Sequence, residues 1–240
     1  MTGDQVVTAD QGWIGARSRA ADPAKALQRC RASLNGRMVL TCSLDLPSEA
    51  VATIFRADAG PDPWAGGDIQ PGQFAPVIVR AGSTGHKVIR PMHWGYPAPG
   101  QSAEMTPPGA MRWVSHVRNL ESPFWIGNLR HAGLRCLIPL TSFVVPLGLK
   151  GRHLRCHISG RTAFAAAGIW RAFTDMPVFA MLTTEPSHAL LPVEGGKAPS
   201  SMPALLDESA QEQWLRADWK EAGALIKPYG KADLIVESLG

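Results

Sequence analysis

From Met38 onward proline and glycine punctuate this chain so often that strands and turns are favoured over long helices. It carries 20 Pro and 24 Gly, and from Met38 onward the apolar runs are short and end at one or the other. A proline inside a helix removes a backbone donor and clashes with the preceding turn, at a cost of about 3 kcal/mol. Short strands joined by turns accept the same punctuation readily. The segments "APVIVRAG" (75–82), "HKVIRPMHWG" (86–95), "RCLIPLTSFVV" (135–145), "RCHISG" (155–160), "TAFAAAGIW" (162–170) and "VFAMLTT" (178–184) therefore read as strands. "ISGRT" between two of them reads as a hairpin turn.

Helices are fewer. "LPSEAVATIF" has Pro47 early, where a missing N–H costs nothing, and "DESAQEQWLRA" has Ser209 and Glu212 at capping-box spacing. A third helix over "WKEAGALIK" is expected to close the fold. The stretches 60–72 and 97–110 are loops, the second long enough to border a site. The sum is a single α+β domain built on an antiparallel, strongly bent sheet.

Charge and cysteine usage narrow the function classes. The formal net charge is +4, of which residues 1–37 supply +3 from six Lys/Arg against three Asp/Glu. Bulk charge in the remainder is near neutral, so a nucleic-acid footprint there has to be a local patch. Residues 1–37 show no sustained apolar period and are expected to form a mobile arm, either a genuine extension or residues upstream of a true start at Met38. No run approaches the roughly 18 apolar residues of a membrane span and no secretory signal opens the chain, which points to a cytoplasmic protein.

Cys30, Cys42, Cys136 and Cys156 are widely spaced and read as reduced thiols. His153, Cys156 and His157 in "HLRCH" could supply metal ligands. On a strand, however, His153 and Cys156 point to opposite faces, and a solvated strand with one buried cysteine is the better reading.

A set of ordered motifs is more specific. "HVRNLESPFW", "RCLIPLTSF", "AAAGIW", "LTTEPSHALLP", "MPALL" and "WLRADWKEAGALIKP" closely resemble the SOS-response-associated peptidase (SRAP) family, also called abasic-site processing proteins. The likeness runs from Met38 to about Val236. It implies an SRAP-like domain over 38–240, its bent sheet forming a pseudo-barrel with a few flanking helices. It further implies a protein of the SOS response to DNA damage that binds single-stranded DNA at an abasic site. The family forms a thiazolidine between the sugar aldehyde and an N-terminal cysteine exposed by autoproteolysis, which needs a free α-amine and a thiolate together. An Asn that orients the substrate, a Glu after the "SF" strand and a proton-transferring His complete the family's site.

Position by position, the resemblance places Val39 at the cysteine, His116 at the Asn, Val145 at the Glu and Glu194 at the His. Val39 offers no nucleophile and Val145 moves no proton, which implies a degenerate centre. Two catalytic alternatives stay open. Cys42 could replace the nucleophile after cleavage of the Thr41–Cys42 bond, or His116 and Glu194 could form a relocated imidazole–carboxylate pair. A non-catalytic protein- or peptide-binding module is the third alternative.

Retained residues favour binding. Arg118 occupies the family's "N-x-R" arginine and suits phosphate, unless Glu121 or another carboxylate holds it internally. Arg90, Arg112, Arg130 and Arg135 flank the same motifs, and Trp94 and Trp113 offer faces on which unpaired bases could stack. Trp125, Trp170 and Trp214 are expected in the core. The expected partner is single-stranded DNA, bound by a monomer that needs neither metal nor organic cofactor.

Overall fold

A computed structural model describes residues 40–82, 84–101, 111–147, 153–191 and 198–239. The arm at 1–37, Val39, Glu194 and most of the 97–110 loop lie outside them.

Five strands form one sheet: β1 (Thr41–Leu44), β2 (Gly67–Ile69), β9 (Ser142–Pro146), β10 (His153–Ile158) and β15 (Leu234–Leu239), in the order β15-β10-β9-β1-β2. The larger sheet is built on β3 (Phe74–Arg80), β4 (Lys87–Trp94), β8 (Arg135–Leu140), β11 (Phe164–Phe173) and β12 (Met176–Thr184). Neighbours run β12-β4-β3-β8-β11, and β11 pairs back onto β12, so these five strands close into a ring. This is the expected barrel-like α+β fold. Short strands β7 (His116–Val117), β13 (Met202–Pro203) and β14 (Leu205–Leu206) extend it, and β5 (Tyr96–Pro97) pairs with β6 (Trp113–Val114) as a separate ribbon.

Two pairings depart from the expected antiparallel pattern: β12 runs parallel to both β4 and β7. The long β12 can take these partners because β4 ends at Trp94 and β7 lies farther along the same strand, so each holds only two register positions. Strand faces follow from register. Phe74, His93, Val178, Arg171 and Phe173 share one face of the ring, while Arg90, Trp94, Phe179 and Trp170 share the other.

Close packing explains two glycines in the motifs. A Cβ on Gly168 would stand 2.8 Å from Cys136 Sγ and 2.9 Å from Ile138 Cδ1, so only glycine lets β11 and β8 approach. Gly95 has φ +151° and a Cβ there would meet Trp113 Cβ at 3.1 Å; its bareness lets Trp113 lie across the turn after β4.

Four helices flank the sheets among the described residues: α1 (Ser48–Phe55), α2 (Pro123–Arg130), α3 (Glu208–Arg216) and α4 (Trp219–Ala224). Several local expectations change. Asp207, not Ser209, caps α3, accepting from Ala210 N at 2.9 Å. Glu212 does not reach back to the helix start, because it pairs with Lys87 at 2.6 Å. The chain closes with β15 on β10 rather than with α4. The run 135–145 breaks at Thr141, whose N–H donates to Ser43 O at 2.8 Å while its hydroxyl accepts from Asp45 N at 3.2 Å.

Candidate functional site

The segment 114–125 folds as strand, turn and helix. β7 pairs with β12 through Met181↔His116 and Leu182↔Val117. The carbonyl of Ser115 takes two donors, Met181 N at 3.0 Å and the indole N–H of Trp94 at 2.8 Å, so the backbone entering β7 is held from two sides. Arg118 leaves the strand into a turn in which Asn119 Oδ1 accepts from Glu121 N at 3.0 Å. Pro123 then starts α2 at a position where its missing N–H costs nothing, and Trp125 and Leu129 are buried beneath that helix.

His116 is half-buried. Its Nδ1 lies 2.9 Å from Ser115 Oγ, and its ring meets Trp94 edge-on with centroids 5.4 Å apart. Burial lowers its pKa to about 4, so the imidazole is neutral at pH 7. Its Nε2 is buried with no hydrogen-bond partner among the described residues. When Ser115 donates to Nδ1, the ring proton sits on Nε2 and His116 presents one unused donor, the chemical role of an amide N–H.

An aromatic run lies on the opposite face of the ring from His116. His93 stands 4.7 Å from Trp113 and 5.8 Å from Phe74 between ring centroids, and Trp113 meets Phe173 edge-on at 6.0 Å. Trp113 is 38% exposed and Phe74 39%. Phe74 and His93 are register partners on the consecutive strands β3 and β4, Phe173 comes from the distant β11, and no local pattern marks them as a set. Arg112 and Arg118, either side of β6 and β7, are exposed. Arg118 forms no ion pair with Glu121; its Nη1 donates to Ser200 O at 2.6 Å.

Other expected site residues do not gather here. Trp94 is fully buried, stacked on Phe179 at 5.7 Å, and has no face to offer a base. Arg135 is also buried: it donates to Ala217 O and lies over the Trp214 ring at 5.3 Å, which makes it a structural arginine. Arg90 is exposed, but strand alternation turns it to the opposite face of the ring from His93. Arg130 ends α2 at the surface. Trp125 and Trp214 are in the core as expected, and Trp170 is only partly buried.

Cys42 is buried on the core face of β1, between register partners Ile69 and Phe143. Burial, with the Asp68 charge nearby, pushes its thiol far above the ordinary range, so it holds its proton in the folded chain. Val145 is fully buried on the core face of β9. Its neighbour Val144 turns to the other face, opposite Thr41, and is only half-buried. Glu194 and Val39 lie outside the described residues, so the imidazole–carboxylate pair has no geometry here. On β10, His153 and Cys156 face opposite ways, and no cluster of three or more His, Cys, Asp or Glu with metal-holding geometry occurs among the described residues.

Fold and site together define a closed β-ring domain with a neutral histidine on one face and an aromatic run on the other. Residues 34–239 match the family model described as SOS response associated peptidase (SRAP). The chain belongs to that family. Solved structures share the fold: a protein from Bordetella bronchiseptica at 18% identity (TM-score 0.66, 84% of this chain and 99% of that one) and a protein from Bacteroides thetaiotaomicron at 18% identity (TM-score 0.63, 83% and 91%). A phage-related protein from Bordetella bronchiseptica aligns at 13% identity (TM-score 0.58, 84% and 94%). No curated protein matches the sequence. No helix among the described residues is long and apolar enough to cross a membrane.

Proposed function

We propose that this SRAP protein binds single-stranded DNA at abasic sites without capturing the aldehyde covalently, acting as a cytoplasmic monomer. The observation that carries this reading is the partly exposed run of Trp113, His93, Phe74 and Phe173 beside the exposed cations Arg112 and Arg118. Aromatic faces accept any unpaired base and the guanidinium groups accept its phosphates. The buried, protonated Cys42 supports the non-covalent form of the reading.

The test compares binding of a fluorescent single-stranded oligonucleotide carrying one abasic site with its intact and double-stranded counterparts. The expected result is affinity for single strands that falls steeply with salt and weakens about tenfold or more in Trp113→Ala and Arg118→Ala, with no adduct on a denaturing gel. A covalent adduct, or equal affinity for duplex, would defeat the proposal.

A further inference from the structure

A cavity of about 630 Å³ is lined by Val79, Arg80, Arg90, His131, Gly133 and Trp170 among others. We infer that it is a second site, one that takes a nucleoside monophosphate by its phosphate and its base. This inference stands independently of the DNA-binding reading, because the cavity's lining shares no residue with the aromatic run, Arg112, Arg118 or His116.

Charge is the first argument. Two guanidinium groups and an imidazole line the cavity and no carboxylate does. Arg90 is exposed and makes no hydrogen bond or ion pair among the described residues, which leaves its planar fork free for a phosphate. Arg80 is already oriented: its Nε donates to Gly85 O at 3.0 Å, in a turn closed by Ala81 N to His86 O at 2.8 Å and Gly85 N to Ala81 O at 2.8 Å. Gly85 has φ +70°, and a Cβ there would stand 2.7 Å from an Arg80 terminal nitrogen, so a side chain at 85 would displace the guanidinium. Glu212, the acid that feels Arg80 from outside the cavity, is held by Lys87 at 2.6 Å and Arg216 at 3.3 Å.

Shape is the second. Trp170 is half-buried, and its indole N–H donates to Gly133 O at 3.0 Å, which fixes the plane of a ring that borders the cavity. The volume falls within the usual range of small-molecule sites, about 300–1,000 Å³. A cationic end and a fixed aromatic wall in one cavity match a phosphate attached to a planar base better than either part alone. Such a group exists as a free nucleotide and as the 5′-terminal nucleotide of a DNA strand.

Calorimetry on the full chain with dAMP, deoxyadenosine and inorganic phosphate tests the site. Saturable binding of dAMP, tighter than either fragment and weakened about tenfold or more by Arg90→Gln, is expected. Arg90 is exposed, so an unchanged melting temperature in Arg90→Gln separates lost binding from lost fold. A parallel measurement compares one oligonucleotide with a 5′-phosphate and with a 5′-hydroxyl: tighter binding of the phosphorylated form assigns the site to strand ends, and equal binding assigns it to free nucleotides. No saturable dAMP binding, inorganic phosphate binding as tightly as dAMP, or an unchanged affinity in Arg90→Gln overturns the inference.

Discussion

The indole N–H of Trp94 donates to the carbonyl of Ser115 at 2.8 Å, and this bond fixes the last residue of β4 to the residue before His116. The same tryptophan meets the His116 ring edge-on, so one buried side chain sets both the backbone and the surroundings of the candidate site. Trp94→Phe keeps most of the ring volume and removes the donor, while Ser115 O still accepts from Met181 N. The expected cost is about 1–2 kcal/mol, seen as a lower urea midpoint at unchanged slope. An imidazole NMR titration of the variant should show the His116 pKa moving up toward its ordinary value as the packing over it loosens.

His116 gives the fold a pH dependence whose sign follows from burial. Its folded pKa, about 4, lies below the ordinary 6.5 of an unfolded chain. Between those values the unfolded state binds the proton and the folded state does not, so acid favours unfolding there. Stability from this group is complete above about pH 6.5 and declines as pH falls toward 4. His116→Gln should flatten the stability profile across that window in urea titrations at several pH values. An unaltered profile would show that His116 is solvated.

Much of this fold was legible because β3, β8, β11 and β12 of the ring are buried on both faces over most of their length and read as apolar runs between prolines and glycines. α2 was harder: Gly127 and polar Asn128 break its apolar pattern, although the Ser122–Pro123 pair is a helix-start signal that marks it. β15 is an edge strand with an exposed side, and its apolar content does not stand out. Trp94 and Trp113 looked alike in sequence, each beside a loop, and only the packing of Phe179 over one and of His93 beside the other separates a core residue from a surface one. Alternation did place Cys42 on one face of β1, but its burial depends on Ile69 and Phe143, far away in the chain.

Gly95 should be intolerant of a side chain. A methyl group there would stand 3.1 Å from Trp113 Cβ on a backbone that L residues rarely adopt. Gly95→Ala is expected to cost about 1–3 kcal/mol and to move Trp113 off His93. Thermal melting checks the first effect. A shift in tryptophan emission, together with weaker binding to single-stranded DNA, checks the second.

Adjacent valines on β9 should answer a carboxylate very differently. Val145 faces the core, so Val145→Glu places a charge among apolar side chains without a partner and should destabilise the fold by more than about 3 kcal/mol, or prevent folding. Val144 is half-buried on the face shared with Thr41, and Val144→Glu should leave a folded protein. Soluble yield and circular dichroism of the two variants decide the matter. The outcome bears on the family comparison too, because a proton-transferring carboxylate on this strand has room at 144 and not at 145.

Thiol accessibility tests the reading of Cys42 most directly. Cys42, Cys136 and Cys156 are all free and buried, and burial raises each thiol, that of Cys156 to about 12. A buried protonated thiol is a poor nucleophile, because the thiolate is the reactive form and the reagent has no path to it. In a Cys30→Ser variant, the native protein should therefore gain no maleimide within the time that labels it fully in denaturant, and intact mass should then show three additions. Rapid labelling of Cys42 in the native state, located by peptide mapping, would mean that β1 opens from β2 and β9. Such opening would expose the thiol, and covalent capture of an abasic site would then still require cleavage of the Thr41–Cys42 bond to free the α-amine, whereas slow labelling at the rate of global unfolding leaves Cys42 as a small apolar side chain that packs β1 against the core.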